Sequence, residues 1–128
     1  MQVRLTDREA DVMAVLWQLG SATVSEVREA LADELAYTTV LTILRTLEGK
    51  GYVDHSLEGR AHRYVPAVSQ EKARRSASSA LVDKLFKGSA ALLLTHLVTD
   101  RRLSQAEIRR IRHLLDDAPT GDDGPEEQ

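Results

Sequence analysis

The sequence predicts a mainly α-helical protein with one small β-hairpin, and three observations support this fold class. Apolar residues recur at helical spacing in three successive segments before residue 50. The spacing then changes to two across residues 52–65, which is the period of a β-strand. Helical spacing returns at residue 69 and continues to about residue 118. The predicted order is therefore three helices, a hairpin and three further helices.

The beginnings of three helices are marked by capping boxes, in which two side chains satisfy each other's free backbone amides. The paired residues are Thr6 with Glu9, Thr23 with Glu26, and Ser104 with Glu107. Gly20 is predicted to end the first helix, and the second helix is predicted to run to about Ala32. The apolar residues predicted to face the core from these two helices are Val12, Val15, Leu16, Leu19, Val24, Val27 and Leu31.

The third helix, predicted to begin after Ala36, has two faces of different character. Its apolar positions, predicted to face the core, are Val40, Ile43, Leu44 and Leu47. Its outward positions are Thr38, Thr39, Thr42, Arg45 and Thr46. Threonine is a mediocre helix former, so four of them on a surface either tolerate exposure or serve a function. Threonine hydroxyls and methyl groups can contact phosphates, base edges and thymine methyls, and arginine can contact guanine.

Residues 52–57 and 60–65 are the predicted strands of the hairpin, joined by a two-residue turn. In this register Asp54 lies opposite Arg63 and forms a favourable charge pair. Three helices followed by a hairpin form a winged helix-turn-helix, whose third helix enters the major groove of DNA. The hairpin is then the wing, and Arg60 at its tip is a candidate phosphate contact.

Two further residues beside the third helix have alternative interpretations. Tyr37 could bind a phosphate or pack against the second helix, and Lys50 could bind a phosphate or simply be exposed. The predicted DNA contacts are Tyr37, Thr38, Thr39, Thr42, Arg45, Thr46, Lys50 and Arg60.

A free-standing three-helix segment of about 50 residues rarely buries enough core to be stable, yet the second half of the chain is rich in apolar residues that need covering. A second copy could cover this surface through a two-fold interface, or the helices could fold back onto the first half. We predict a homodimer. The residues predicted to form its interface are Leu81, Val82, Leu85, Phe86, Leu93, Leu94, Leu97, Val98, Ile108, Ile111 and Leu115.

Composition and charge divide the chain into three segments and exclude sites that need cysteine. We predict a DNA-binding domain at 1–68, a helical dimerisation domain at 69–118 and a disordered acidic tail at 119–128. The first carries seven Lys/Arg and ten Asp/Glu, the second ten and six, and the tail none and four. The basic balance of the second could also be an ordinary solvated surface. The sequence contains no cysteine, which excludes disulfides and thiolate metal sites.

No catalytic or metal-binding set is evident. Asp54, His55 and Ser56 are consecutive in a predicted strand, so their side chains alternate between two faces and cannot form a triad. His55 and His62 would be cross-strand neighbours, but two histidines fall short of a metal-ligand set. We expect no enzymatic activity, metal or cofactor. Without a signal sequence or a long apolar stretch, we expect a cytoplasmic protein with no membrane insertion.

Several segments together resemble the penicillinase repressor family. They are AYTTVLTILRTL at 36–47, KGYV at 50–53, GRAHRY at 59–64, KG at 87–88 and LSQAEI at 103–108. The resemblance covers nearly the whole chain except the acidic tail. It implies a dimeric transcriptional repressor of a β-lactamase or related operon, which binds inverted-repeat, double-stranded operator DNA.

The resemblance also bears on how repression would be relieved. In one branch of the family it implies cleavage prompted by a membrane sensor protease, at the position of His96 and Leu97, where that branch has Asn-Phe. A copper-responsive branch uses cysteine pairs, which this chain lacks. The alternative function is a winged-helix module that binds a protein rather than specific DNA, which the acidic balance of residues 1–68 would suit.

Overall fold

The computed structural model describes residues 2–100 and 103–118 and divides the chain into two compact units. The N-terminal unit is Met1–Leu81 and the C-terminal unit is Val82–Gln128. The division lies further along the chain than the change of period at 65–69. The predicted disordered tail at 119–128 lies outside the described residues.

The observed elements follow the predicted order. The N-terminal unit contains α1 (Asp7–Leu19), β1 (Ala22–Thr23), α2 (Val24–Ala30), α3 (Tyr37–Gly49), β2 (Val53–Glu58), β3 (Ala61–Pro66) and most of α4 (Gln70–Leu85). The C-terminal unit contains the end of α4 together with α5 (Ala90–Thr99) and α6 (Gln105–Asp117). The sequence did not predict β1, which pairs antiparallel with β3 and extends the hairpin to a sheet of order β1-β3-β2.

All three predicted capping boxes are formed, at the beginnings of α1, α2 and α6. In each box the hydroxyl accepts a hydrogen bond from the backbone amide of the glutamate. The glutamate carboxylate in turn accepts a hydrogen bond from the backbone amide of the capping residue. The backbone amides of Thr23 and Ser104 hold the pKa of Glu26 and of Glu107 below the ordinary value. The second helix ends at Ala30, slightly earlier than predicted.

The core of the N-terminal unit is built from α1, α2, α3 and the inner face of the sheet. Its largest fully buried side chains are Tyr64, Met13, Leu16, Leu44, Leu47, Val12, Val27, Val40 and Val53. The prediction that Leu19 faces the core is wrong, because this last residue of α1 is 51% exposed. Met13 is buried instead, since the buried stripe of α1 passes through residues 12, 13, 15 and 16.

The predicted register of the hairpin is wrong. Ser56, rather than Asp54, pairs with Arg63, and Asp54 lies opposite Val65. The turn therefore consists of Gly59 and the residue after it, one position later than predicted. Gly59 has a φ of 63°, and a two-residue hairpin with a positive φ at its first turn position favours glycine there.

The C-terminal unit has no buried side chain among its described residues, 82–100 and 103–118. Leu85, Val98, Leu114 and Leu115 are each half exposed or more. Among the helices in the described part of the chain, none combines the length and apolar character that crossing a bilayer requires.

Candidate nucleic-acid interface

Burial of one face of α3 fixes which side chains its opposite face presents. Val40, Leu44 and Leu47 are fully buried against the core, and Ile43 packs against it while remaining partly accessible. The predicted outward residues are all exposed: Thr38, Thr39, Thr42, Arg45 and Thr46. We call these five residues the outer face of α3. The predicted division of this helix into a core face and an outward face is confirmed.

The threonine hydroxyls of the outer face are partly engaged within the helix itself. Thr42 Oγ1 donates to the Thr38 carbonyl and Thr46 Oγ1 donates to the Thr42 carbonyl, both at 2.9 Å. Because these hydroxyl protons are already used, the two threonines offer methyl groups and oxygen lone pairs. Such groups suit thymine methyls and base amino groups better than phosphates, which need donors.

A shallow cleft lies between α3 and the wing, the hairpin of β2 and β3. Its lining residues are Val24, Tyr37, Leu41, Arg45, Arg60 and His62. Tyr37 is 45% exposed here, with the α2 residue Val24 in the same cleft, so it is neither buried against α2 nor fully free. The structure thus brings together three predicted contacts, Tyr37, Arg45 and Arg60, and adds His62, which sequence reasoning did not include.

The two arginines of the cleft differ from Arg8 and Arg63 in having no carboxylate partner among the described residues. Neither Arg45 nor Arg60 forms an ion pair with any residue that the structure describes. In contrast, Arg8 pairs with Asp33 at 2.7 Å, and Arg63 pairs with Glu58 and Glu26. The uncompensated positive charge of the wing and of α3 is therefore concentrated at this cleft.

Lys50 has a structural partner that neither of its sequence interpretations included. Its Nζ lies 2.9 Å from both carboxylate oxygens of Glu9, which is only 4% exposed. Burial raises the pKa of Glu9, but hydrogen bonds from Thr6 and Lys50 and the charge of Lys50 outweigh burial and lower it overall. Lys50 thus compensates a buried carboxylate of the α1 capping box. A phosphate contact by Lys50 stays a prediction.

A cluster of aromatic side chains joins the end of α3 to the wing. His55 Nδ1 lies 2.6 Å from Glu48 Oε2, and the His55 ring stacks on that of His62 with centroids 4.5 Å apart. The direct cross-strand partner of His55 is Tyr64, so the predicted His55–His62 pairing is wrong as a register, although the rings meet diagonally. Burial raises the pKa of Tyr64, and the charge of Glu48 adds to this effect.

Hydrogen bonds from side chains to the backbone hold the helix-turn-helix and the wing in place. Arg28 Nε donates to the Leu35 carbonyl at 2.9 Å, which fixes the turn between α2 and α3. Trp17 Nε1 donates to the Val68 carbonyl at 2.9 Å, which ties α1 to the segment after β3. These contacts position the outer face of α3 beside the wing. No group of three or more His, Asp or Glu suited to a metal occurs within the part of the chain that is described.

The predicted dimer residues occupy the end of α4, α5 and α6. The exposed ones are Leu81, Leu85, Leu97, Val98 and Leu115. The partly buried ones are Val82, Phe86, Leu93, Leu94, Ile108 and Ile111. The predicted cleavage position, His96–Leu97, lies within α5. The rings of His96 and Phe86 are arranged edge to face, with their centroids 5.5 Å apart.

A family model described as the penicillinase repressor matches residues 5–117. The chain belongs to the penicillinase repressor family. The membership predicted from the sequence is therefore confirmed, and so is the function class, a DNA-binding transcriptional repressor.

Two relatives within the penicillinase repressor family are similar over most of their length. The transcriptional regulator BlaI of Mycobacterium tuberculosis is 35% identical over 125 residues, covering 92% of this chain and 87% of that protein. The penicillinase repressor of Bacillus licheniformis is 25% identical over 116 residues, covering 89% and 91%.

A solved structure shows the same fold at low sequence identity. It is a MarR mutant from E. coli in complex with operator DNA, with a TM-score of 0.53 and 15% identity over 90% of this chain and 76% of that one. The predicted fold class, mainly α with a winged helix-turn-helix, is confirmed.

Proposed function

We propose that this repressor binds an inverted-repeat operator as a homodimer, with one α3 in the major groove of each half-site. The observation that carries the proposal is the outer face of α3, five exposed side chains backed by three fully buried residues. A helix fixed this firmly by its core can be inserted into a groove without losing its own packing.

Within each half-site the residues have different tasks. Arg45 is long enough to hydrogen bond a guanine edge, while Thr42 and Thr46 pack their methyl groups on neighbouring bases. Arg60 at the wing tip contacts the sugar-phosphate backbone and sets the register of α3 in the groove. With only two uncompensated arginines around the cleft, the contribution of phosphate contacts to affinity is small, so base contacts carry most of the specificity.

The homodimer is supported by the exposed apolar side chains of the C-terminal unit. Ile108, Ile111 and Leu115 recur at helical spacing on α6, and Leu115 is 62% exposed in the single chain. A two-fold axis lets the same helices cover each other in both protomers. It would also place the two α3 helices about 34 Å apart, one turn of DNA, which explains why the operator should be an inverted repeat.

We further propose a cytoplasmic location and a target operon of the β-lactamase type, since both accord with the family. Relief by proteolysis at His96–Leu97 is part of the same proposal. The bond lies in a regular helix, so cutting requires α5 to unwind locally. Mass spectrometry of the chain from cells treated with a β-lactam would show fragments ending at His96, whereas an intact chain would contradict cleavage.

The experiment that tests DNA recognition begins with sites selected from a random duplex pool by the full-length protein. The selected sites should be inverted repeats. Arg45→Ala should weaken binding to them by roughly 1–3 kcal/mol, because a bidentate base contact is lost. Arg8→Ala is the matched control, since it removes an equal charge from a surface arginine already paired with Asp33. Selection of no sequence, or equal losses in both variants, would refute the proposal.

A further inference from the structure

We propose that the cleft between α3 and the wing binds a backbone phosphate of the operator, and that His62 becomes protonated when it does so. Operator affinity then rises as the pH falls. This inference rests on the proposed function and adds a contact residue and a form of regulation to the same surface.

The shape and chemistry of the cleft suit a phosphate. With Arg45 assigned to a base, the donors left among the lining residues are Tyr37, Arg60 and His62, and the apolar lining residues are Val24 and Leu41. A phosphodiester carries one negative charge and accepts several hydrogen bonds, so it matches a cleft lined by a cation and further hydrogen-bond donors. His62 belongs to the wing, is half buried and is one of the residues that line this cleft.

The charges around His62 decide how its protonation is linked to binding. The titratable and charged groups that face it are Tyr37, Arg45 and Glu48 from α3, His55 from β2, Arg60 from the turn and Tyr64 from β3. In the free protein a protonated His62 would lie among two uncompensated arginines, which repel it. A bound phosphate reverses this balance, so DNA favours the protonated ring.

The stacked His55 limits the pair to one added proton. A carboxylate only accepts hydrogen bonds, so His55 Nδ1 donates to Glu48 and its free nitrogen is Nε2. Protonating Nε2 as well would place two charged rings 4.5 Å apart. Charge on both rings at once is therefore unfavourable.

The sign of the effect follows from linkage. If the complex holds one more proton per half-site than the free components, affinity falls as the pH rises through the range in which imidazoles titrate. Between about pH 8 and about pH 6 we expect operator affinity to increase by about tenfold. No other type of side chain has an unperturbed titration in that interval.

The test measures operator affinity of the full chain across this pH range at constant salt. Wild type should show the increase toward low pH, whereas His62→Gln should bind equally at every pH, at about the affinity of wild type near pH 8. His55→Gln is the matched control, because it removes an imidazole from the same sheet face without altering the cleft lining. This control should retain the dependence on pH.

Calorimetry of the wild-type protein gives a second readout that does not depend on any variant. The binding enthalpy in two buffers of different ionisation enthalpy should report proton uptake near pH 6.5 and little near pH 8. Affinity independent of pH, absent proton uptake, or an unchanged dependence in a folded His62→Gln would overturn the inference while leaving the proposed function intact. If no duplex is bound at any pH, the proposed function itself fails.

Discussion

The two units of this repressor differ in where their apolar residues lie. Among the described residues of the N-terminal unit, sixteen hydrophobic side chains are buried in one core. In the C-terminal unit none of the described residues is buried, and leucines on α4 and α6 are more than 60% exposed. The first unit therefore has a core of its own, while the second presents apolar side chains that the proposed homodimer would cover.

This difference suits the two tasks proposed for the chain, which are DNA recognition by the N-terminal unit and dimerisation by the C-terminal unit. A rigid N-terminal unit can hold α3 and the wing in fixed positions, which base recognition needs. In the proposed homodimer the C-terminal unit would gain stability by pairing, so we expect its folding to depend on protein concentration.

The largest effect is expected when charge is placed on the exposed apolar surface of the C-terminal unit. Leu85→Asp combined with Leu115→Asp should weaken the dimer by about 4 kcal/mol, since interface anchors typically contribute about 2 kcal/mol each. Sedimentation equilibrium measures this loss directly. Leu19→Asp is the control, because Leu19 is 51% exposed but belongs to the N-terminal unit. A double variant that remains a dimer would show that this surface is not the interface.

The second effect concerns the core behind the outer face of α3. Leu44→Ala should lower the free energy of unfolding by about 3 kcal/mol, because Leu44 is fully buried and truncation leaves a cavity. Urea unfolding should show the same loss at every protein concentration. Leu57→Ala, at a residue 70% exposed on the wing, should change stability by less than about 0.5 kcal/mol. Equal losses would mean that the burial pattern is misassigned.

The third effect tests the role of Lys50. Lys50→Met should lower the free energy of unfolding by about 2 kcal/mol at neutral pH, because the buried Glu9 carboxylate loses a charged donor. Lys72→Met, at an exposed position of α4, is the control.

The dependence of this third effect on pH has a definite sign. The pKa of Glu9 is lower in the folded state, so its contribution is fully present above the ordinary glutamate value and is lost as the pH falls through the folded value. The gap in stability between wild type and Lys50→Met should therefore shrink in acid. A constant gap from neutral pH into acid would contradict the assigned role.

The smallest effects are expected for equivalent capping residues in the two units, Thr23 and Ser104. Thr23→Ala should lower stability by about 1 kcal/mol at any protein concentration, because α2 loses its amide acceptor in a unit that folds alone. Ser104→Ala removes the equivalent acceptor from α6, so it should lower the melting temperature most in dilute protein. Thermal unfolding at two concentrations separates the cases, and identical concentration dependence would break the contrast between the units.

Patterns confined to single elements could be predicted from the sequence. The three capping boxes, the two faces of α3 and the order of elements all follow from local spacing. The predicted register of the hairpin failed, because a one-residue shift of the turn depends on the backbone of Gly59. Such a shift leaves the alternating pattern almost unchanged.

Features that depend on distant parts of the chain could not be predicted. Lys50 and Glu9 are 41 residues apart, and β1 is a two-residue strand that exists only because β3 lies beside it. His62 joined the candidate site for the same reason, since the cleft forms only when the wing folds against α3. A basic or aromatic residue beside a predicted wing tip is the signal that could have indicated it.

The central claim is that the outer face of α3 and the wing bind operator DNA. Its most direct test is amide and side-chain NMR of the full chain, titrated with a selected operator duplex. We expect the largest chemical-shift changes at Thr42, Arg45, Thr46 and Arg60, with α1 little affected. Changes centred on other surfaces of the N-terminal unit, with these four residues unmoved in a saturated complex, would contradict it.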